Sequence, residues 1–297
     1  MTQATEQANR HVLKPLGPDS YTWQDFGSWR FNLMLPQAFA LQVAHPIIDA
    51  GVGEHSVYKT DPWGRARRST ALLWPIVYAR PQKAIEMGDK LYDMHRSIKG
   101  VDKEGNKYHA LNPEAYSWVH ITGFDATIRM HEMLGKPPTT EQRAAMFSEW
   151  RQLGILMGIR EQDLPATECD YWEYFHGMIK DKLAMTDVAK DLLAHNHYLD
   201  IPKPPVDWLP EFAWVMIRAV MGRFMRFNLR ATLPHQFREK FDIPWSKKDE
   251  RLFKAWCRFY RVVHALTPKN LRLIPMARNA YKDARQHPEA YNVNKYA

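Results

Sequence analysis

Helix-start and helix-stop signals recur along this chain, and they constrain its fold more than any other feature. Asn112-Pro113-Glu114 predicts a helix start, because Asn caps well, Pro fits the first turn and Glu favours the positive end of the helix dipole. This helix should end near Leu134, before the stop signal Gly135-Lys136-Pro137-Pro138. Thr139 to Gln142 has capping-box spacing and predicts a second helix that runs to about Gly158.

The rest of the chain continues this helical pattern, without a sustained alternation of polar and apolar residues that would indicate a sizeable sheet. Thr167 with Asp170 and Ser246 with Asp249 predict two more N-caps. The segment from Phe212 to Phe227 is apolar on nearly every face, which predicts a central buried helix. We therefore predict an all-α fold, with one mostly helical domain of globin-like or bundle-like architecture.

The domain boundaries follow from the same pattern. We expect an N-terminal extension over residues 1–27 and a helical domain over residues 28–297, with the proline-rich segment Ile201–Pro205 as a candidate subdomain boundary. The N-terminus is polar and lacks an apolar signal core, and the longest apolar stretch, Phe212–Met221, is too short to span a bilayer. The expected compartment is the cytoplasm.

Cysteine content and charge exclude several classes of protein. Cys169 and Cys257 are the only cysteines, so a disulfide framework, a multi-cysteine metal site and covalent haem attachment are excluded. The formal net charge is +8, and arginines are frequent after residue 217. These arginines can attract phosphates or anionic lipid surfaces, or they can simply extend from apolar helices into solvent. No recognisable nucleic-acid-binding module accompanies them, so we expect no nucleic acid partner.

One helical face carries a candidate cofactor ligand. A helix from about Pro81 to Lys99 would place five residues on one apolar face, namely Gly88, Leu91, Tyr92, His95 and Ile98. A neutral imidazole on such a face, near a small residue that admits a flat macrocycle, suits a proximal haem ligand. From spacing alone, a hydrogen-bonded core histidine is the alternative interpretation.

An ordered series of short motifs runs from Gln42 to His120. It comprises Ala44-His45-Pro46, Gly51-Val52, Glu54-His55-Ser56, Asp61-Pro62-Trp63-Gly64-Arg65, Met94 to Gly100, and Trp118-Val119-His120. This series resembles the MpaB-like oxygenases, which include the rubber oxygenases (latex clearing proteins), over about residues 28 to 195. The resemblance implies a helical protein that encloses haem b on a single histidine and uses dioxygen on an apolar, alkene or isoprenoid-like substrate.

The resemblance also assigns roles to residues. His95, in His95-x-x-Ile98-Lys99-Gly100, matches the segment that carries the haem-ligating histidine of rubber oxygenases. On the opposite, oxygen-binding face the family has an arginine shortly before a threonine, which implies catalytic roles for Arg65 or Arg68 together with Thr70. From the surrounding residues alone, the remaining cofactor-pocket candidates are Gly88, Tyr92, His45, which is also a candidate second axial ligand, and His120, with Tyr108 as a supporting residue. The rubber oxygenases carry a lysine immediately before that threonine, whereas this chain has Ser69.

Other functions remain open at the level of sequence. The protein could be a non-catalytic haem or lipophile carrier, or a basic helical protein at a membrane surface without a cofactor. A ferritin-like di-iron site needs two Glu-x-x-His motifs, and only Glu173 to His176 has that form. His195-Asn196-His197 lacks an obvious third metal ligand. Zinc-protease, nucleophile-elbow and phosphate-loop motifs are absent from the sequence.

Overall fold

The computed structural model describes residues 14–296, and these residues form a succession of α-helices with one short β-hairpin. The first thirteen residues of the predicted N-terminal extension, including the polar N-terminus, lie outside the described residues, as does Ala297. In chain order the first elements are α1 (Tyr21–Phe26), α2 (Trp29–Asn32), α3 (Leu35–Val43), α4 (Pro46–His55), α5 (Pro62–Tyr78), α6 (Pro81–Arg96), β1 (Lys99–Val101) and β2 (Lys107–His109). They are followed by α7 (Pro113–Leu134), α8 (Thr140–Leu156), α9 (Glu168–Gly177), α10 (Asp187–Leu193), α11 (Glu211–Thr232), α12 (His235–Lys240), α13 (Lys247–Leu266) and α14 (Pro275–Gln286).

The helix starts depend on side-chain caps at the predicted positions. The Asn112 side chain accepts a hydrogen bond from the Ala115 backbone N–H at the start of α7. Thr139, Thr167 and Ser246 each form a complete capping box, at the starts of α8, α9 and α13. These predictions are confirmed, and the mostly helical architecture confirms the all-α class.

Helices α3 and α7 form the centre of the core and run antiparallel to each other. The indole Nε1 of Trp118 donates to the Leu41 carbonyl at 2.9 Å, and both side chains are fully buried. Further along the pair, Gln37 Nε2 donates to Asp125 Oδ2 at 2.7 Å. Because buried polar groups are costly unless they are hydrogen-bonded, these bonds set the register of the two helices.

Helices α5 and α6 form a second antiparallel pair, joined by a tight connection at Ala79 and Arg80. Helix α6 ends at Arg96, three residues before the predicted end, because the chain turns into β1 at Lys99. Strands β1 and β2 pair antiparallel, with Lys99 opposite His109. This is the only sheet within residues 14–296, in agreement with the prediction of no sizeable sheet.

The segment just before residue 28 packs into the main core. The Trp23 side chain is fully buried, and its Nε1 donates to the Leu16 carbonyl at 3.0 Å. Its ring makes edge contacts with Tyr78 of α5 and Tyr281 of α14, at 5.1 and 5.3 Å between centroids. Residues 14–27 therefore pack against both α5 and the C-terminal helix α14.

Helix α11 corrects one prediction, because it is not a central buried helix. Its first half is largely exposed, with 72% of Phe212 and 69% of Met216 accessible to solvent. The helix is buried mainly through Trp214, Gly222 and the residues from Asn228 to Thr232. The apolar composition of α11 shows that the helix is hydrophobic, but it does not show how many other helices pack against it. Here the neighbouring helices cover only part of its surface. Within residues 14–296, no helix is both long enough and apolar enough to cross a bilayer.

Candidate active site at the open end of the α5–α6 hairpin

The α5–α6 hairpin brings Arg65 and His95 to the same end of the molecule. Arg65 precedes the connection at Ala79 by fourteen residues, and His95 follows Arg80 by fifteen. With a rise of 1.5 Å per residue, both lie about 21–23 Å along the helices from the connection. Two residues 30 positions apart in sequence therefore lie at a similar level at the open end of the hairpin.

The His95 imidazole has one nitrogen engaged and one available. Its Nδ1 lies 2.7 Å from the Leu91 carbonyl, and since a carbonyl only accepts, Nδ1 carries the proton. Burial lowers the pKa of His95, which favours the neutral ring. Within residues 14–296, no side chain or backbone group bonds to Nε2, so its lone pair is available to a metal. A carbonyl-oriented, neutral imidazole of this kind fits the axial ligand of a haem.

Aromatic rings surround this histidine. The ring of Tyr116, at the start of α7, meets the His95 imidazole edge-on with centroids 5.5 Å apart. Tyr92, one turn before His95, makes a similar edge contact with Tyr116 at 6.0 Å. A Cβ on Gly158 would lie 2.6 Å from the Tyr92 ring, so Gly158 lets α8 approach that ring closely.

Of the three arginines at the start of α5, Arg65 occupies the least polar environment. Its guanidinium carbon lies 4.3 Å from the ring centroid of Phe39 on α3, and burial lowers its pKa. No carboxylate in residues 14–296 pairs with it. Arg68 instead bonds to Asp61 at 3.1 Å and is more than half exposed, and Arg67 is also exposed. The structure thus gives the three arginines different environments.

Thr70 and Gly88 both make contacts with neighbouring backbone groups of the protein. The Thr70 hydroxyl donates back to the carbonyls of Ala66 and Arg67, at 3.0 Å in each case. A Cβ on Gly88 would lie 2.1 Å from the Leu156 carbonyl oxygen, so the absent side chain lets α6 approach the backbone of α8. The space beside Gly88 that was expected to admit a macrocycle is therefore taken by α8.

His45 and His120 lie in separate parts of the core. His45 caps α4 by accepting from the Ile47 N–H, and its Nε2 lies 3.3 Å from Glu114. The His120 ring stacks on Trp150 at 4.6 Å, and its Nε2 lies 2.7 Å from the Trp150 carbonyl. Burial lowers the pKa of His120 to about 4. Both rings already have protein partners, unlike Nε2 of His95.

A polar cluster that the sequence did not predict lies beside the β-hairpin. The buried Tyr108 hydroxyl bonds to the Glu54 carboxylate and lies 3.1 Å from His55 Nε2. Burial, and then the bond to Glu54, raise the pKa of Tyr108 to about 12. A Cβ on Gly51 would touch both Ile98 and the Tyr108 ring, so the cluster adjoins the segment that follows His95. Glu54 and His55 belong to one of the sequence motifs, but nothing in the sequence indicates that Glu54 bonds to Tyr108, because the two residues are 54 positions apart.

The other candidate sites are less well formed. Within the described part of the chain, no group of three or more His, Cys, Asp or Glu side chains is arranged to hold a metal ion. No such group therefore forms around Glu173 and His176, or around His195 and His197. A cleft of about 590 Å³ lies between the start of α7 and α9. It is rich in carboxylates and includes no residue of the α5–α6 hairpin; its acidic residues are Glu114, Asp163, Asp170 and Glu173.

Comparison with known proteins supplies the family. The family model described as "ER-bound oxygenase mpaB/B'/Rubber oxygenase, catalytic domain" matches residues 23–262. Uncharacterized proteins of Mycobacterium bovis and Mycobacterium tuberculosis are each 24% identical over 243 residues, which is 80% of this chain and 90% of each relative. No solved structure matches the chain. The family match covers the candidate site and most of the helical core, so this chain belongs to the mpaB and rubber oxygenase catalytic-domain family, as its motif series predicted.

Proposed function

We propose that this protein is a haem b-dependent oxygenase that uses dioxygen on an apolar, alkene or isoprenoid-like substrate. The observation that carries the proposal is the state of His95, whose Nδ1 is held by the Leu91 carbonyl while Nε2 has no partner within residues 14–296. In this arrangement His95 would hold the iron through Nε2. Haem, when bound, supplies the redox centre at which dioxygen is activated.

Arg65 would act as the charge-stabilising donor of the site. A guanidinium that is partly buried and unpaired exerts a stronger field than one in water, and it can donate without first breaking an ion pair. Arg68 is engaged by Asp61, so it is the weaker candidate. Thr70 would need to rotate its hydroxyl away from the helix carbonyls before it could donate to a substrate.

The remaining groups at this end of the hairpin suit an apolar substrate and proton transfer. The rings of Phe39, Tyr92 and Tyr116 supply apolar surface around Arg65 and His95. Glu54 and Tyr108 share a hydrogen bond beside Ile98, and this pair would hold a proton or return it to the substrate. These assignments rest on contacts within residues 14–296.

The test is a visible spectrum of protein produced with abundant haem, recorded oxidised, reduced and with carbon monoxide. We expect a Soret band, about one haem per chain and complete removal of the pigment by acid–organic extraction, because no Cys-x-x-Cys-His motif attaches it. Dioxygen uptake should then rise with alkene or isoprenoid substrates. Colourless protein that also fails to take up added haemin would refute the proposal. A Soret band without dioxygen uptake on any substrate would favour a haem carrier.

A further inference from the structure

Large apolar side chains project into solvent from neighbouring parts of α11 and α13. Phe212 and Val220 on α11 are 72% and 69% exposed, and Leu266 on α13 is 80% exposed. The other apolar residues of these helices that are at least 40% exposed are Val215, Met216, Ile217, Met221, Leu252, Phe259, Val262 and Val263. Single exposed apolar residues are ordinary, but a contiguous group of this size marks a surface that binds something.

Ring contacts between the two helices place these residues, apart from Leu252, at one end of the pair. Phe224 meets Trp256 at 5.0 Å between centroids, and Phe227 meets Phe253 at 6.2 Å. As the chain advances along α11 its contacts move backwards along α13, so the helices are antiparallel. The first half of α11 therefore lies beside the last half of α13, and these two halves together form what we call the apolar end.

Most charges around the apolar end are positive, and Glu211, the first residue of α11, is the acidic exception. The sequence has no Asp or Glu from Phe212 to Arg238, and none from Arg251 to Lys282. Arginines are frequent in both tracts, and within residues 14–296 none of those on the two helices forms an ion pair with a carboxylate. Arg218, Arg258 and Arg261 lie within the apolar end and Arg223 lies next to it, whereas Arg226, Arg230 and Arg251 lie in the other halves of the two helices.

We propose that the apolar end docks onto the surface of an anionic lipid bilayer, with its apolar side chains inserted at the level of the headgroups. Apolar residues that enter the interface and basic residues that attract anionic headgroups are the two contributions that hold a helix in the plane of a membrane. A second copy of this chain fits the surface less well, because a symmetric contact would bring two positively charged surfaces together. Neither helix is long and apolar enough to cross the bilayer instead.

This docking stands independently of the proposed haem chemistry, although the two surfaces are neighbours. Trp214 on α11 makes an edge contact with Trp63 at 5.9 Å, and Trp63 lies two residues before Arg65. A membrane-dissolved apolar substrate would therefore meet the protein beside the helix that carries Arg65.

The test is flotation of the full chain with vesicles of phosphatidylcholine alone or of phosphatidylcholine mixed with phosphatidylserine. We expect binding to the mixed vesicles, little binding to the neutral ones, and weakening by salt. A variant with Phe212→Ser, Val220→Ser and Leu266→Ser should lose roughly tenfold or more in partitioning. Val101→Ser is the matched control, because Val101 is 57% exposed on β1, away from both helices.

A second pair of variants tests the charge. Arg223→Glu with Arg258→Glu should reduce partitioning into the mixed vesicles by about tenfold or more. Lys90→Glu with Lys107→Glu changes the net charge equally on the α6 and β2 surfaces and should leave partitioning almost unchanged. Equal losses in both pairs would mean that only net charge matters, and would overturn the assignment to this surface.

Sedimentation velocity tests whether a second copy of the chain, instead of a lipid surface, covers the apolar end. If the protein binds neither kind of vesicle but forms dimers, and if the triple serine variant does not dimerise, a second copy covers the surface and the lipid proposal is wrong. Circular dichroism of every variant should match the parent, because the replaced side chains are exposed and contribute little to the core.

Discussion

The guanidinium of Arg65 lies over the ring of Phe39, with 4.3 Å between the guanidinium carbon and the ring centroid. A cation over an aromatic face gains about 0.5–2 kcal/mol, depending on how far it is desolvated. Here burial lowers the pKa of Arg65, and no carboxylate within residues 14–296 neutralises its charge. A desolvated and unpaired arginine is costly in a structural role, which is why we assign Arg65 a role in the reaction.

Replacing Arg65 with Leu should reduce turnover roughly 100- to 1,000-fold, as expected for loss of a preorganised charge-stabilising donor. Haem content should change little, because Arg65 is not assigned to the iron. Arg65→Lys keeps the charge but loses the planar group over Phe39, so it should recover activity only in part. The measurement is dioxygen uptake per haem, with Arg68→Leu as the matched control since Arg68 is bound to Asp61 at the surface. Full activity in Arg65→Leu would contradict the assignment.

Replacing His95 with Ala should abolish stable haem binding, because it removes the only nitrogen that we assign to the iron. His45→Ala is the matched control and should retain haem, since both ring nitrogens of His45 already have protein partners. The measurements are the Soret absorbance per chain and the low-temperature spin-resonance signal, with circular dichroism to verify folding. An unchanged signal in folded His95→Ala protein would rule out His95 as the ligand.

The stability of the protein should fall as the pH is lowered from about 6.5 towards 4. Burial lowers the pKa of His120 from 6.5 to about 4. Between these two pH values the unfolded chain therefore binds a proton at His120, whereas the folded protein does not. The His120 contribution is complete above pH 6.5 and is lost below it, with a slope of up to roughly 1.4 kcal/mol per pH unit. His264, whose pKa is also lowered to about 4, acts in the same direction.

The measurement is urea unfolding at several pH values, with His120→Gln as the comparison. Glutamine has an amide N–H that can replace the donor to the Trp150 carbonyl, but it does not titrate. The variant should therefore show a shallower loss of unfolding free energy between pH 6.5 and 4. Parallel curves for the two proteins would show that His120 does not govern this range.

Replacing Gly88 with Ala should destabilise the protein by about 1–3 kcal/mol, because the added Cβ would meet the Leu156 carbonyl oxygen at 2.1 Å and push α6 away from α8. Gly177 is the matched control: it also lies in a helix, and a Cβ there would meet nothing within 4 Å. Gly177→Ala should be neutral, or stabilising by up to about 1 kcal/mol through helix propensity. Thermal unfolding of both variants checks the pair, and equal effects would contradict the close approach of α6 to α8.

Local hydrogen bonds explain which parts of the fold were predictable. The starts of α7, α8, α9 and α13 depend on a side chain that bonds to a backbone group three residues away, as Thr139 does with Gln142. Such a signal is complete within four residues of sequence. The family motifs around His95 are likewise local, and they identified the hairpin on which the candidate site lies.

Contacts between distant segments were decided only by the tertiary structure. In the sequence Arg65 is favoured over Arg67 and Arg68 only by the family-like Pro-x-Gly turn before it, and the physical difference in environment comes from Phe39 on another helix. Glu54 acquires its role from Tyr108 across 54 residues. The exposure of α11 depends on which of its sides other helices cover.

The amino-acid sequence by itself therefore determined the helical class, the starts of the four capped helices and the family, because each of these depends on residues that are near one another in the chain. The tertiary structure decided which arginine is desolvated, which histidine keeps a free nitrogen, and which apolar helix remains uncovered. The physical reason is that burial and charge environment depend on neighbours brought together by folding, and the identity of those neighbours is not encoded in any short segment.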